Sequence, residues 1–243
     1  MTRNSKLAIA LLSIALVAAI GAAFYLFQQG QDYYLQLNLT RLDPLGLNTY
    51  ASAKEQAHQP IIVFFGDSRA ANWIAPEIKG ATIVNRGIGA QTTAQVLGRF
   101  QHDLAPLKPK IVVLQVGIND LKTIPLFPEQ KDAIIRICKG NIRQIAELSQ
   151  RIGARVVITT IFPLGVLPLE RRLFWSDDVA AAITEVNAYL EALAGDQVVI
   201  LDSGKILANS QGVVDPKYSQ DFLHLNSEGY AALNQGIVGL LGP

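Results

Sequence analysis

The sequence predicts an α/β fold: a three-layer α/β/α sandwich on a mostly parallel, five-stranded sheet, preceded by one N-terminal transmembrane helix. Three observations carry this. Short Val/Ile-rich runs recur at 61–65, 82–85, 111–116, 155–160 and 198–201, and their continuous apolar character marks strands covered on both faces. Helical patterns separate them at 68–75, 92–104, 130–151 and 177–194, with a last one from 227 to about 240; such alternation calls for parallel strands joined by crossovers. Ahead of Pro60 stands a long uncharged apolar segment.

That segment is 7–27, 21 residues without a charge and broken only by Ser13 and Gly21. Its length suffices to cross a bilayer as a helix. Residues 1–6 carry Arg3 and Lys6 and no acid, which places the N-terminus in the cytoplasm and the rest of the chain outside it. Gly21-Ala22-Ala23 offers a small-residue cleavage site, but a cleaved signal has a shorter apolar core of roughly 7–15 residues. The aromatic end, Phe24-Tyr25-Leu26-Phe27, fits an interfacial anchor. The reading is therefore a signal anchor over 7–27, a polar stalk over 28–59 and one globular domain over 60–243. Within the stalk, Tyr34 to Leu39 has an apolar pattern that suits a strand or short helix packed on the domain.

Beyond Phe27 the chain has 19 Lys and Arg, the total of 21 less Arg3 and Lys6, against 20 Asp and Glu. This near-neutral balance argues against a nucleic-acid partner, for which a basic face is expected. The single cysteine, Cys138, has no intramolecular disulfide partner and falls in a helical apolar pattern, so it is expected in the core. No His/Cys/Asp spacing suggests a metal. Gly87 and Gly89 lack the third glycine of a dinucleotide fingerprint, Thr92 standing in its place. No cofactor is expected.

Three motifs follow strands: Gly66-Asp67-Ser68 after the first, Asn85 to Ala90 after the second, Gly117-Ile118-Asn119-Asp120 after the third. All lie at carboxyl ends of strands, where open α/β sheets bind ligands. A serine hydroxyl attacks only when an imidazole takes its proton, and the imidazole needs a carboxylate to fix its tautomer. Of the three histidines, only His224 follows an aspartate by three residues, so Asp221 can meet the ring nitrogen facing away from Ser68. Asp67 and Asp120 read as structural residues, and His58 and His102 as surface residues.

With Asp221-Phe222-Leu223-His224, these blocks resemble the SGNH/GDSL hydrolase family, named for its Ser, Gly, Asn and His. Gly66-Asp67-Ser68 matches the nucleophile block with Arg69 in place of the usual Leu, Gly117 to Asp120 the G-x-N-D block, and Asp221 to His224 the D-x-x-H block. The second block departs from N-x-G-I-G-G-[DQ]-[ST]-[ST], because Ala90 holds the position of the oxyanion glycine. A backbone N–H is the donor there, so alanine suffices if the local backbone does not demand φ > 0.

The resemblance implies an SGNH-type, flavodoxin-like sandwich and a serine esterase in which Ser68 attacks, His224 moves the proton and Asp221 orients it, with Ser68 N–H, Ala90 N–H and the Asn119 amide as oxyanion donors. The substrates it implies are acetylated carbohydrates, lysophospholipids or other acyl esters. Candidate substrate contacts are Arg69, Gly89, Phe127 and Trp175, the last two on the apolar loops 122–130 and 162–175. Two rivals keep the scaffold: a polysaccharide O-acyltransferase using the same triad, and a non-catalytic envelope-binding protein.

Overall fold

The computed structural model describes residues 2–51 and 60–241 and, at Leu173, the backbone alone. The chain forms two compact units, Met1–Pro44 and Leu45–Pro243.

The first unit is a single helix, α1 (Arg3–Leu42), 40 residues long, with Thr2 as N-cap. Its most apolar 18-residue window has a mean hydropathy of 2.6 and no buried residue. The expected stalk thus begins as helix. Extending an existing helix avoids the cost of nucleation, and 28–42 is rich in Gln and Leu, with Gly30 as the only strong breaker. Tyr34 to Leu39 lies within α1, its apolar residues Tyr34, Leu35, Leu37 and Leu39 exposed, and is not a strand. The helix stops at Asp43, where Pro44 disfavours a helical residue before it.

Residues 45–51 also depart from the stalk expectation, since they belong to the second unit. Gln91 Nε2 donates to Leu45 O at 2.8 Å, and Tyr50 stacks under the Arg86 guanidinium at 4.4 Å. His58 lies outside the described residues.

In this unit β1 (Ile61–Gly66), β2 (Thr82–Gly87), β3 (Ile111–Gln115), β4 (Arg155–Thr159) and β5 (Val198–Leu201) form one sheet in the order β2-β1-β3-β4-β5. All four pairings are parallel. The helices are α2 (Ser68–Ala71), α3 (Thr93–Gly98), α4 (Ile118–Leu121), α5 (Lys131–Arg151), α6 (Asp178–Glu191), α7 (Ser203–Leu207) and α8 (Ser227–Leu241).

The period of two along β1 divides the core. Ile61, Val63 and Phe65 point into one cluster with α3, α5 and α6, which includes Cys138 as expected. Ile62 and Phe64 point into the other, with Trp73 and residues of α7 and α8. Both sheet faces are covered, and the chain order reverses between β1 and β3. The crevice outside the carboxyl ends at that reversal is where such sheets place their sites, and Ser68 and Asn119 follow those two strands.

Candidate active site

The turn that exposes Ser68 depends on Gly66. Its φ is +153°, and a Cβ there would lie 1.8 Å from Gln115 O on the neighbouring strand. Only glycine lets β1 run this close to β3 before the chain turns. Asp67 then caps α2, its Oδ1 accepting from Arg69 N–H at 2.8 Å. Burial, set first against the nearby Arg69 charge, pushes the Asp67 carboxyl up to about 6. Asp67 is wholly buried, so it stabilises the turn and does not face a reactant.

Across the crevice, Asp221 divides its carboxylate between two tasks. Oδ1 accepts from the Leu223 and His224 amides at 2.7 and 2.8 Å, which closes the four-residue turn. Oδ2 lies 2.8 Å from His224 Nδ1. Burial acts to raise the Asp221 pKa, but the hydrogen bonds from the ring and the two amides outweigh it and hold the carboxyl below its ordinary range. A carboxylate only accepts, so Nδ1 carries the ring proton and Nε2 is left as an acceptor. Ser68 Oγ is 3.1 Å from that Nε2. The relay from hydroxyl to imidazole to carboxylate is continuous.

The donors expected for an oxyanion are disposed unequally. Ala90 is exposed, and among the described residues its N–H meets no protein acceptor; the same holds for Ser68 N–H. Ala90 has φ +62°, the left-handed region, so the proviso attached to alanine at this position is not met and the residue is strained. Asn119 is buried, and one hydrogen of its amide goes to Gln91 O at 3.0 Å, leaving the second for another acceptor. Asp120 is structural as expected: it accepts from Thr93 N and Oγ1 at 2.9 and 2.6 Å, fastening the start of α3 to α4.

Arg69 is not a surface residue. Its side chain is fully buried, and Nε and Nη1 donate to Leu223 O at 2.9 Å and Phe162 O at 3.2 Å. It cannot greet a substrate from solvent; it ties α2 to the loop that carries His224. Gly89 is exposed on the Ala90 loop, and Phe127 is 46% exposed on the loop after α4. Trp175 is half-buried and meets Phe222 edge to face at 5.4 Å. Val166, Pro168, Val214, Pro216 and Phe222 line a cleft of about 320 Å³ that reaches Asp221.

Sequence reasoning missed Arg99. This buried residue donates from Nη2 to Gly66 O at 2.8 Å and from Nε to Gln91 Oε1 at 2.6 Å, so it holds both the end of β1, just before Ser68, and the Ala90 loop. The signal was present in the i, i+4 pair with Asp103, 3.1 Å apart. His102 is on the surface as expected, but it does have an acid partner, Asp103, at 2.7 Å.

The GDSL-like lipase/acylhydrolase family model matches residues 54–232. The chain belongs to that family. Over 199 residues it is 29% identical to platelet-activating factor acetylhydrolase IB subunit alpha1 of Rattus norvegicus, covering 78% of each chain. A GDSL-like lipase from Bacteroides thetaiotaomicron superposes with a TM-score of 0.63 at 23% identity, over 81% of this chain and 97% of the other. A catalytic mutant of an acetylxylan esterase from Geobacillus stearothermophilus does so with a TM-score of 0.53 at 15% identity, over 75% and 94%. The protein is accordingly an ester-hydrolysing serine hydrolase of the GDSL type, with the family's parallel α/β/α fold.

Proposed function

We propose that this hydrolase is a membrane-anchored, extracytoplasmic esterase whose triad is Ser68, His224 and Asp221. The observation that carries the reading is the relay in which Ser68 Oγ stands 3.1 Å from His224 Nε2 while Nδ1 stands 2.8 Å from Asp221. As Ser68 Oγ bonds to the ester carbonyl carbon, its proton passes to Nε2, and Asp221 stabilises the resulting imidazolium. The carbonyl oxygen becomes an oxyanion, taken up by the free N–H groups of Ser68 and Ala90 and the second amide hydrogen of Asn119. Collapse breaks the bond to the alcohol, which leaves with the proton from Nε2. Water then repeats the sequence on the acyl-serine and releases the acid.

The acyl group in this reading is short, and the alcohol is a lipid or carbohydrate. The relative named an acetylhydrolase supports a short acyl group.

The membrane is met through α1: residues 7–27 cross it, residues 1–6 stay in the cytoplasm, and the hydrolase unit lies in the periplasm or extracellular space. At 1.5 Å per residue the crossing segment spans about 32 Å. The rest of α1 then serves as a helical stalk.

Hydrolysis of p-nitrophenyl esters of increasing chain length by the full chain in detergent tests the reading. Turnover is expected to be highest for acetate and to fall as the acyl chain grows. Absence of turnover on every ester would overturn the proposal.

A further inference from the structure

The charges around the nucleophile turn do not balance. Asp67 and Arg69 flank Ser68, both are fully buried, and each keeps one unsatisfied atom, Oδ2 of Asp67 and Nη2 of Arg69. Lys122 closes α4, its amide donating to Ile118 O at 2.9 Å. It follows Asn119 by three residues, the helical spacing of neighbours on one face.

The Lys122 side chain is half-buried, and among the described residues its ammonium has neither a hydrogen-bond nor an ion-pair partner. Two other partly buried lysines of the unit do have acids, Lys131 with Asp178 and Lys139 with Glu185. The charges acting on Lys122 are Asp67, Arg69 and Arg171. Burial lowers its pKa most, Asp67 raises it, and the two arginines lower it further. Its one acidic neighbour, Asp67, is shared with Arg69, so a single buried carboxyl faces more than one cation. Arg171 is exposed and leans over the Phe222 ring at 5.9 Å, beside Asp221.

A half-buried cation facing two more cations is unfavourable in the free protein. An anion bound there relieves it, because the attraction is stronger where water is partly excluded. We propose that Lys122, with Arg171 beside it, is an anion subsite next to the Ser68 turn, and that the natural ester carries a carboxylate or phosphate which this subsite holds. The word ester rests on the function proposed above; the anion subsite does not.

Two measurements on the full chain in detergent test it. The first is calorimetric titration of glycerol 3-phosphate and of succinate into wild type, Lys122→Gln and Lys122→Arg at fixed ionic strength. At least one anion is expected to bind wild type and Lys122→Arg, and to bind Lys122→Gln about tenfold more weakly. The second compares p-nitrophenyl acetate with p-nitrophenyl hemisuccinate and with 1-acetylglycerol 3-phosphate, which put the anion on the acyl and alcohol sides. The ratio of anionic to neutral kcat/KM is expected to fall about tenfold in Lys122→Gln, mostly through KM, for the side the subsite serves. Equal binding of both anions by wild type and Lys122→Gln, or no binding by either, overturns the subsite. Binding without hydrolysis of any ester would leave the subsite standing and remove the esterase reading instead.

Discussion

Arg69 donates its Nε–H to Leu223 O at 2.9 Å, the carbonyl immediately before His224. Through this bond the helix bearing Ser68 holds the loop bearing His224. The same guanidinium reaches Phe162 O and stacks 5.1 Å from the Phe162 ring, and Tyr230 Oη returns a hydrogen bond to Arg69 O at 3.0 Å. A residue expected from the sequence to contact substrate is thus a strut inside the domain.

Replacing Arg69 by Met removes both donors and leaves two carbonyls short of a partner, each worth about 1–3 kcal/mol when buried. Arg69→Met is expected to lose about 3 kcal/mol in urea denaturation. Its kcat should fall at least tenfold, because His224 is no longer held at Ser68. Arg69→Lys should not restore it, since one ammonium cannot reproduce the fork that meets both carbonyls.

At Ala90 the positive φ makes glycine the better residue. Ala90→Gly is expected to stabilise the domain by about 1 kcal/mol, seen as a higher urea midpoint at unchanged slope, whereas Ala90→Val should destabilise it by more than that. Turnover should change little in Ala90→Gly, because the N–H that serves the oxyanion is retained. An activity gain of tenfold or more would mean that the alanine misdirects this donor.

Asn119→Ala removes a side-chain donor and its tether to Gln91 O. The expected cost is about 2.7–4 kcal/mol of transition-state stabilisation, the range for one oxyanion donor. It should appear as a loss of kcat of roughly 100-fold to 1000-fold, while an unchanged kcat would remove Asn119 from the site.

Asp67 makes stability depend on pH. Its carboxyl titrates near 6 in the fold and near 3.9 when unfolded, so between these values the folded state holds the extra proton. Stability from this group is full below about pH 4 and declines as pH rises through 6. Urea midpoints measured from pH 4 to pH 7 should show this decline in wild type, and Asp67→Asn should flatten it.

The strands and the Asp221–His224 pair were legible because their signals are local. Val/Ile runs declare buried parallel strands, and Asp221 and His224 are paired by a single turn. What was not legible depends on contacts distant in sequence. The expected helix 68–75 stops at Ala71 because Trp73 turns inward to pack against Phe64, Phe162 and Tyr230. Burial of Arg69 and Arg99 needed knowledge of which carbonyls would face them. The left-handed backbone at Ala90 is a property of the loop, which the alanine itself conceals. Leu45 joined the domain because Gly98 leaves room for it: a Cβ there would lie 2.7 Å from Leu45 Cδ2.

The topology has its own test. With Arg3 and Lys6 inside, the full chain should stay with membranes through a carbonate wash, and the hydrolase unit should be digested by protease added to spheroplasts. A soluble product beginning near Ala22 or Ala23 would show instead that the segment is cleaved.

The proposed reaction requires Ser68 as the nucleophile, activated by His224. A fluorophosphonate probe reacts with serine hydroxyls only when they are activated, and peptide mass spectrometry locates the adduct. Phosphonylation is expected at Ser68 alone, with none in Ser68→Ala and labelling slowed by several orders of magnitude in His224→Ala, ester turnover being lost in parallel. Labelling at another serine, or wild-type turnover in a folded Ser68→Ala, would contradict it.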